Sequence, residues 1–276
     1  MYVQSRIGGK TMDELVALAQ RIADDYDDTG LGELLATLGR SGVDGELKNL
    51  IFAADGPKPR IVLRDALNND IEIVENEDFC LVYNRPLLEQ GLTWRQLVHW
   101  WADKTKRPVD DERGVGHDLF ARLERSLDND AERLILRTYA RLYGAAGYDM
   151  PALIPQVYLH YDPYTKHELA PQLSPLTRQR MDFLLLFPRR ARVVIELDGR
   201  HHYADDQGRA DPERYAVMVA EDRNLRLAGY EVYRFGGQEL TDRARATSTL
   251  TDFFDALLAR HGIPLTPSAA PPPFGF

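Results

Sequence analysis

The sequence predicts an α/β protein of the α+β kind, with a mixed sheet in its C-terminal half and a smaller α+β region before it. Two observations carry this prediction. Short runs of Val, Ile, Leu and Phe alternate with segments of helical periodicity, which gives the C-terminal half the order α-β-β-β-α-β-α. Clusters of Gly, Pro, Asn and Asp separate these segments, as turns do.

In the N-terminal half, helices are expected over 12–26, 31–39, 93–105 and 117–126, and strands over 60–75 and 79–83. The first strand pair surrounds the turn-forming run Asn68-Asn69-Asp70, which is typical of a hairpin. Thr93 is placed to cap the helix at 93–105, whose apolar face includes Trp101. The segment 45–53 fits a helix or a strand equally well.

In the C-terminal half, the predicted strands are 154–161, 181–187, 192–198 and 230–236, and the predicted helices are 131–147, 211–228 and 249–262. Asp211 and Pro212 give the second of these helices a cap and a proline at its first position. Gly147 and Gly229 stand where the first two helices should end. These assignments place three strands before the 211–228 helix and one after it.

The polar segment 106–116, KRPVDDERGVG, is the expected domain boundary because Pro and Gly interrupt it. The expected organisation is an N-terminal regulatory or recognition domain (1–108), a linker with a connecting helix (109–128), a C-terminal domain (129–262) and a disordered proline-rich tail (263–276).

The composition indicates a cytoplasmic protein. The formal charge of −9 argues against a protein that coats polyanions, although it permits a local basic groove. The single cysteine, Cys80, excludes an intramolecular disulfide and fits a reducing compartment. Neither a signal sequence nor a membrane span is expected, so no membrane partner is either.

Three acids in apolar runs are the strongest chemical signal. Asp182 lies at the start of one predicted strand, and Glu196 and Asp198 close the next. Residues two apart in a strand point to the same face, so Glu196 and Asp198 project together. Buried carboxylates are costly and repel one another, and Mg²⁺ or Mn²⁺ would remove both penalties. The structural alternative makes Asp198 part of an Asp-Gly turn and Glu196 half of a buried ion pair.

Within 130–240, separate motifs occur in register with these elements. They are Glu132, Gln156, Asp182, the run Glu196-Leu197-Asp198-Gly199, His202, Asp222, Leu225, Gly229, Val232, Arg234 and Glu239. On these motifs the chain resembles the PD-(D/E)XK nuclease superfamily, and within it the very-short-patch-repair-like endonucleases. The resemblance implies a restriction-endonuclease-like αβββαβ core. It also implies metal ligation by Asp182, Glu196 and Asp198, with His202, Glu132 and Gln156 completing the catalytic set.

Two departures from the superfamily pattern stand out. Asp198 replaces the usual lysine, which puts in doubt which group positions the attacking water. Glu221 replaces the arginine that often precedes the helix aspartate, Asp222. We expect Asp222 and Arg234 to hold the residues of the site in position. The alternative is that they form a purely structural salt bridge.

Structural alternatives also exist for the other candidates. Glu132 in a first helical turn would interact favourably with the helix dipole, and Gln156 would serve as a buried, hydrogen-bonded amide. Adjacent histidines such as His201 and His202 are often solvated. Four arginines are expected to bind nucleic-acid phosphates, unless they only solvate the hairpin ends: Arg180, Arg189, Arg190 and Arg200. Trp100 and Trp101 fit the core better than base stacking.

The segment 43–75 and the Trp-rich helix after it resemble the N-terminal domains of AbiJ-type abortive-infection proteins. That resemblance implies phage defence, with a possible protein partner or dimer contact through the N-terminal domain. The expected function is a Mg²⁺-dependent endonuclease acting on DNA. The alternatives are a catalytically silent nucleic-acid-binding or sensor module of the same fold, and an RNA-cleaving defence toxin.

Overall fold

The structure is a computed structural model that describes residues 19, 22, 50–57, 59–65, 70–85, 87, 90–143, 147–158, 180–200, 203–205 and 207–263. The side chains of 60–72 and 143 are not among the described parts. Residues 19 and 22 are helical, and the rest of the predicted helix at 12–26 lies outside the described residues, as do the predicted helix at 31–39, the two histidines 201–202 and the proline-rich tail.

Eight strands and five α-helices make up the described part of the chain. The strands are β1 (Leu50–Phe52), β2 (Arg60–Asp65), β3 (Asp70–Glu75), β4 (Leu81–Tyr83), β5 (Ile154–Tyr158), β6 (Arg180–Leu186), β7 (Arg192–Asp198) and β8 (Tyr230–Gly236). The helices are α1 (Trp94–Thr105), α2 (Glu112–Arg125), α3 (Asp130–Tyr143), α4 (Pro212–Leu227) and α5 (Arg243–Arg260). The chain is therefore mixed α+β.

The C-terminal half contains a four-stranded mixed sheet in the order β5-β6-β7-β8. β6 pairs antiparallel with β5 and β7, whereas β7 and β8 run parallel, joined through α4. The predicted order α-β-β-β-α-β-α is thus confirmed for α3 to α5. The last helix begins earlier than expected because the Asp242 carboxylate accepts hydrogen bonds from the Ala244 and Arg245 amides.

The N-terminal half follows the sequence pattern closely where it is described. β2 and β3 form the expected antiparallel hairpin, and the ambiguous segment 45–53 contains a strand, β1, which pairs with β4. Thr93 caps α1 and forms a capping box with Gln96. α2 begins at Glu112, five residues before the predicted start at 117, because the Asp111 side chain accepts the Gly114 amide hydrogen.

One apolar core runs through both halves of the described chain. It includes Leu50 and Trp101 as well as Ile195 and Phe254, all at most 9% exposed. Backbone hydrogen bonds cross between the halves, from Ala53 N to the Pro155 oxygen (3.2 Å) and from Ala152 N to the Leu92 oxygen (2.8 Å). Within the described residues, the segment 106–116 therefore does not mark a break in the core.

Trp100 and Trp101 belong to this core, at 4% and 9% exposure. The Trp101 indole donates to Asp118 and the Trp100 indole to Asn84. The core interpretation of the two tryptophans is confirmed. Across the described residues, no helix combines the length and the apolar character that crossing a membrane requires.

Candidate functional site

The three acids of interest lie at the open end of the β6–β7 hairpin, away from its turn. β6 and β7 pair Phe183 with Ile195, so Asp182 and Glu196, one residue further along each strand, fall opposite each other. On the other side of β7, Glu196 pairs with Arg234 and Asp198 pairs with Gly236 of β8. Three neighbouring strands thus contribute charged residues to one end of the sheet. We call this end, which carries Asp182, Glu196 and Asp198, the acid edge.

Asp182 is 9% exposed and is held by the backbone of the neighbouring strand. Its Oδ2 accepts a hydrogen bond from the Leu197 amide at 2.8 Å. Burial raises the pKa of Asp182 above its usual value, and the Asp198 charge adds to this, although the Leu197 hydrogen bond and Arg180 oppose it. The carboxyl group is therefore fixed in place and sits in a site that disfavours its charge.

Glu196 is the least compensated acid at this edge. Burial of its carboxyl group raises its pKa well above the usual value, and the charges of Asp182, Asp198 and Glu221 raise it further, against the attraction of Arg234. Among the described residues, no hydrogen bond or ion pair is found for this side chain. Glu221 adds to the excess of negative charge.

Asp198, in contrast, is neutralised by an arginine. Arg234 Nη1 lies 2.7 Å from Asp198 Oδ1, and Arg234 Nε lies 3.5 Å from Asp222 Oδ1. Asp222 also contacts Arg226 Nε at 2.9 Å. Arg234 thus bridges the strand acid and the helix acid, which joins α4 to the end of β7.

Glu132 and Gln156 meet behind this edge of the sheet. Glu132 is 4% exposed and accepts hydrogen bonds from the Asp128 amide (2.9 Å), Asn129 Nδ2 (2.7 Å) and Gln156 Nε2 (2.9 Å). Its pKa is raised by burial, partly offset by the Asp128 amide, with the Asp182 charge adding to the increase. The proximity to Asp182 that the motif implied is present, and so is the capping role at the start of α3.

Gln156 has an unusual backbone and an unsatisfied oxygen. Its φ of 52° is left-handed, and its carbonyl accepts the Ala53 amide hydrogen. The side chain is 1% exposed, and its Oε1 has no hydrogen-bond partner among the described residues. A buried acceptor without a donor costs about 1–3 kcal/mol, so this oxygen is placed for a cation or a donor that comes from outside the described residues.

The four arginines expected to bind phosphate do not lie together. Arg180 pairs with Asp128 at 2.7 Å. Arg189 and Arg190 occupy the β6–β7 turn in left-handed conformations. At a rise of about 3.3 Å per strand residue, this turn lies about 20 Å from Asp182. Arg200 alone is exposed just beyond the acids. One phosphate group therefore cannot contact both the turn arginines and the acid edge.

The sequence patterns missed two tyrosines close to this edge. Tyr203 and Tyr215 are 44% and 57% exposed and line a pocket that also includes Asp198. The sequence did contain a signal for them. Tyr203 closely follows the pair Asp198-Gly199, and Tyr215 lies in the first turn of α4. His202, expected to complete the site, lies outside the described residues.

The oxygen atoms at the acid edge are of the type that binds a hard cation. They are the carboxylates of Asp182 and Glu196, oxygen ligands of the kind that Mg²⁺ and Mn²⁺ prefer, and the orphaned Oε1 of Gln156 on the neighbouring strand β5 is a further oxygen of that kind. Within the described residues, no group of three or more His, Cys, Asp and Glu side chains is arranged to hold a metal ion. Asp198, the third expected ligand, is instead paired with Arg234 at 2.7 Å.

Comparison with protein-family models, curated proteins and solved structures finds no match. The fold and the site together define a mixed α+β protein with three acids at one edge of its sheet, of which Glu196 is the least compensated.

Proposed function

We propose that the chain is a metal-dependent endonuclease that hydrolyses phosphodiester bonds in DNA. The observation that carries this proposal is Glu196, a carboxyl group with a raised pKa, three acidic neighbours and no hydrogen bond among the described residues. A site that is short of positive charge favours a divalent cation. The order of elements from α3 to α5, with acids on β6 and β7, supports the same proposal.

Asp182 and Glu196 would hold Mg²⁺ or Mn²⁺, and Gln156 Oε1 would contribute a third oxygen. Such an ion lowers the pKa of a bound water and offsets charge on the phosphate. Leu197 N–H fixes the orientation of Asp182, and Glu132 orients the Gln156 amide. His202 remains the proposed proton-transfer residue, and Asp198 a ligand only where Arg234 releases it.

The role in phage defence is a separate proposal, supported by the resemblance of 43–75 to abortive-infection domains. It predicts that expression of the chain lowers phage yield, and that Glu196→Gln removes this protection.

The direct test is nicking of supercoiled plasmid by the purified chain with Mg²⁺, Mn²⁺ or EDTA. Asp182→Asn and Glu196→Gln should each lower the rate by more than about a hundredfold, because even residues that only support a metal ligand are worth 10–100-fold. Glu231→Gln is the matched control, since Glu231 lies on β8 and pairs with Arg260 at 3.2 Å. Both test variants must remain folded, as shown by a circular dichroism spectrum like that of wild type and by cooperative melting. Unchanged nicking by both would overturn the proposal.

A second candidate is a catalytically silent nucleic-acid-binding module. The Asp198–Arg234 ion pair favours it, because Arg234 neutralises one of the three expected ligands. Calorimetric titration with Mn²⁺ separates the two functions. Heat of binding that disappears in Glu196→Gln supports the endonuclease, whereas DNA binding without any metal binding supports the silent module.

A further inference from the structure

A half-open cavity of about 580 Å³ adjoins the acid edge of the sheet. It lies at the carboxyl ends of the parallel strands β7 and β8, where Asp198 and Gly236 pair, and the start of α4 closes its other side. Clefts at the carboxyl ends of parallel strands are frequent ligand sites, and this volume falls within the roughly 300–1,000 Å³ of small-molecule pockets.

The cavity lining is almost entirely apolar although it opens to solvent. Its apolar and aromatic lining residues are Tyr203, Tyr215, Met218, Ala210 and Pro212. Tyr203 and Tyr215 remain 44% and 57% exposed, so their rings are open to an incoming group. Exposed aromatic rings around an apolar recess suit a flat, aromatic occupant.

The walls of the cavity are held in place by hydrogen bonds. Asp211 N donates to the Tyr203 oxygen at 2.8 Å, and Ala204 forms a bridge with Ala210. Arg214 Nη1 donates to the Ala204 oxygen at 2.6 Å. The loop that carries Tyr203 is therefore fastened to the start of α4, which carries Tyr215.

Charge at the rim decides between a base and a phosphate. The described cavity lining contains no Arg, Lys or His, and its two acids, Asp198 and Asp211, are paired with Arg234 and Arg214 at 2.7 and 3.2 Å, so the lining offers a phosphate no cation. The Arg200 side chain lies against Gly208, two residues before Ala210 of the cavity lining, where a Cβ would be 3.1 Å from the guanidinium carbon. A nucleotide would place its base in the apolar recess and its phosphate towards Arg200.

We propose that this cavity binds one unpaired base of the DNA strand that is cleaved at the acid edge. The inference rests on the proposed function, because Asp198 lines both the cavity and the acid edge. A base inside a duplex is stacked and paired, so occupancy requires a single strand or a displaced base. The enzyme then prefers single-stranded or distorted DNA to regular duplex.

The test measures binding of a fluorescent single-stranded dA oligonucleotide and of the matching duplex to the full chain in EDTA. Tyr203→Ala and Tyr215→Ala should each weaken single-strand binding by about tenfold, since stacking of one base contributes that order of affinity. Tyr203→Phe and Tyr215→Phe keep the ring and should bind like wild type. Val217→Ala is the control, an exposed α4 residue that is not part of the cavity lining.

A second readout places 2-aminopurine in the single strand. Wild-type protein should quench its fluorescence by stacking, and Tyr215→Ala should restore the signal. Unchanged single-strand affinity in both alanine variants would overturn the inference, as would an equal loss of duplex affinity or an absence of quenching by the wild type.

The proposed function and this inference fail separately. Binding in EDTA needs no catalysis, so an inactive wild type that still quenches 2-aminopurine refutes only the endonuclease. Normal nicking by alanine variants with unchanged DNA affinity refutes only the base site.

Discussion

The start of α3 and the end of β7 each place a glutamate against the sheet, but the two side chains are compensated very differently. Glu132 accepts three hydrogen bonds, from a backbone amide and two side-chain amides. Glu196 has none among the described residues and is surrounded by Asp182, Asp198 and Glu221. Both have raised pKa values because burial disfavours the charged form.

The difference separates an acid that its neighbours satisfy from one that they leave poorly compensated. Hydrogen bonds to Glu132 satisfy both of its oxygens, so it stabilises the start of α3 and fixes Gln156. Among the described residues Glu196 has no hydrogen-bond donor, and the attraction of Arg234 opposes the charges of three acids, so the folded state is less stable when Glu196 is ionised. A divalent cation would offset that cost.

The largest expected effect is on the structural acid. Glu132→Gln should lower the free energy of unfolding by about 3 kcal/mol, because an amide nitrogen would face N–H donors in a buried site. Urea denaturation at pH 7 measures this change. Glu231→Gln, in a partly exposed ion pair, should cost less than about 1 kcal/mol. A Glu132→Gln variant as stable as wild type would mean that the three hydrogen bonds contribute little.

The next effect is stabilisation by metal. Mn²⁺ at about a hundred times its dissociation constant should add about 2.7 kcal/mol to wild-type stability, which raises the melting temperature by several degrees. Glu196→Gln should lose this increase, whereas Glu231→Gln, whose carboxylate pairs with Arg260, should retain it. An equal increase in all three proteins would place the ion elsewhere.

A smaller effect of opposite sign is expected for Glu196 without metal. Removing an uncompensated buried charge should make Glu196→Gln about 1 kcal/mol more stable than wild type at pH 7. The measurement is urea denaturation in EDTA. A destabilised Glu196→Gln would reveal a partner for this side chain and remove the contrast with Glu132.

The pH dependence sharpens the same comparison. The folded pKa of Glu196 lies above its unfolded value, so its ionisation destabilises the fold, and stability is regained as pH falls through the folded pKa towards about 4.5. The gap between Glu196→Gln and wild type should therefore close between neutral pH and about 4.5. A gap that stays constant over this range would show that Glu196 does not titrate there.

The smallest effect is expected at the hairpin turn. Arg189→Gln and Arg190→Gln should change nicking less than about twofold, because the turn lies about 20 Å from Asp182. Arg200→Gln, beside the acid edge, should weaken DNA binding more, and less so at high salt. Equal losses at the two ends would mean that the nucleic acid runs along the whole hairpin.

Periodicity and turn chemistry in the sequence predicted the C-terminal order of elements, the bounds of β7 and β8, and the caps Thr93 and Asp211. These features depend on local interactions, which residues close together in the sequence determine. The earlier starts of α2 and α5 were missed because polar first turns carry no apolar periodicity, although Asp111 and Asp242 are recognisable caps.

The sequence by itself determined that two apolar strands carry acids, one near the start of its strand and two near the end of the next, because residue type and strand period are local properties. Only the tertiary structure decided which acids are compensated. Arg234 comes from a different strand to reach Asp198. Gln156 reaches Glu132 from a residue with a left-handed backbone, and Tyr203 and Tyr215 line one cavity from a loop and a helix. Compensation depends on distances between residues far apart in the chain, and such distances exist only after folding.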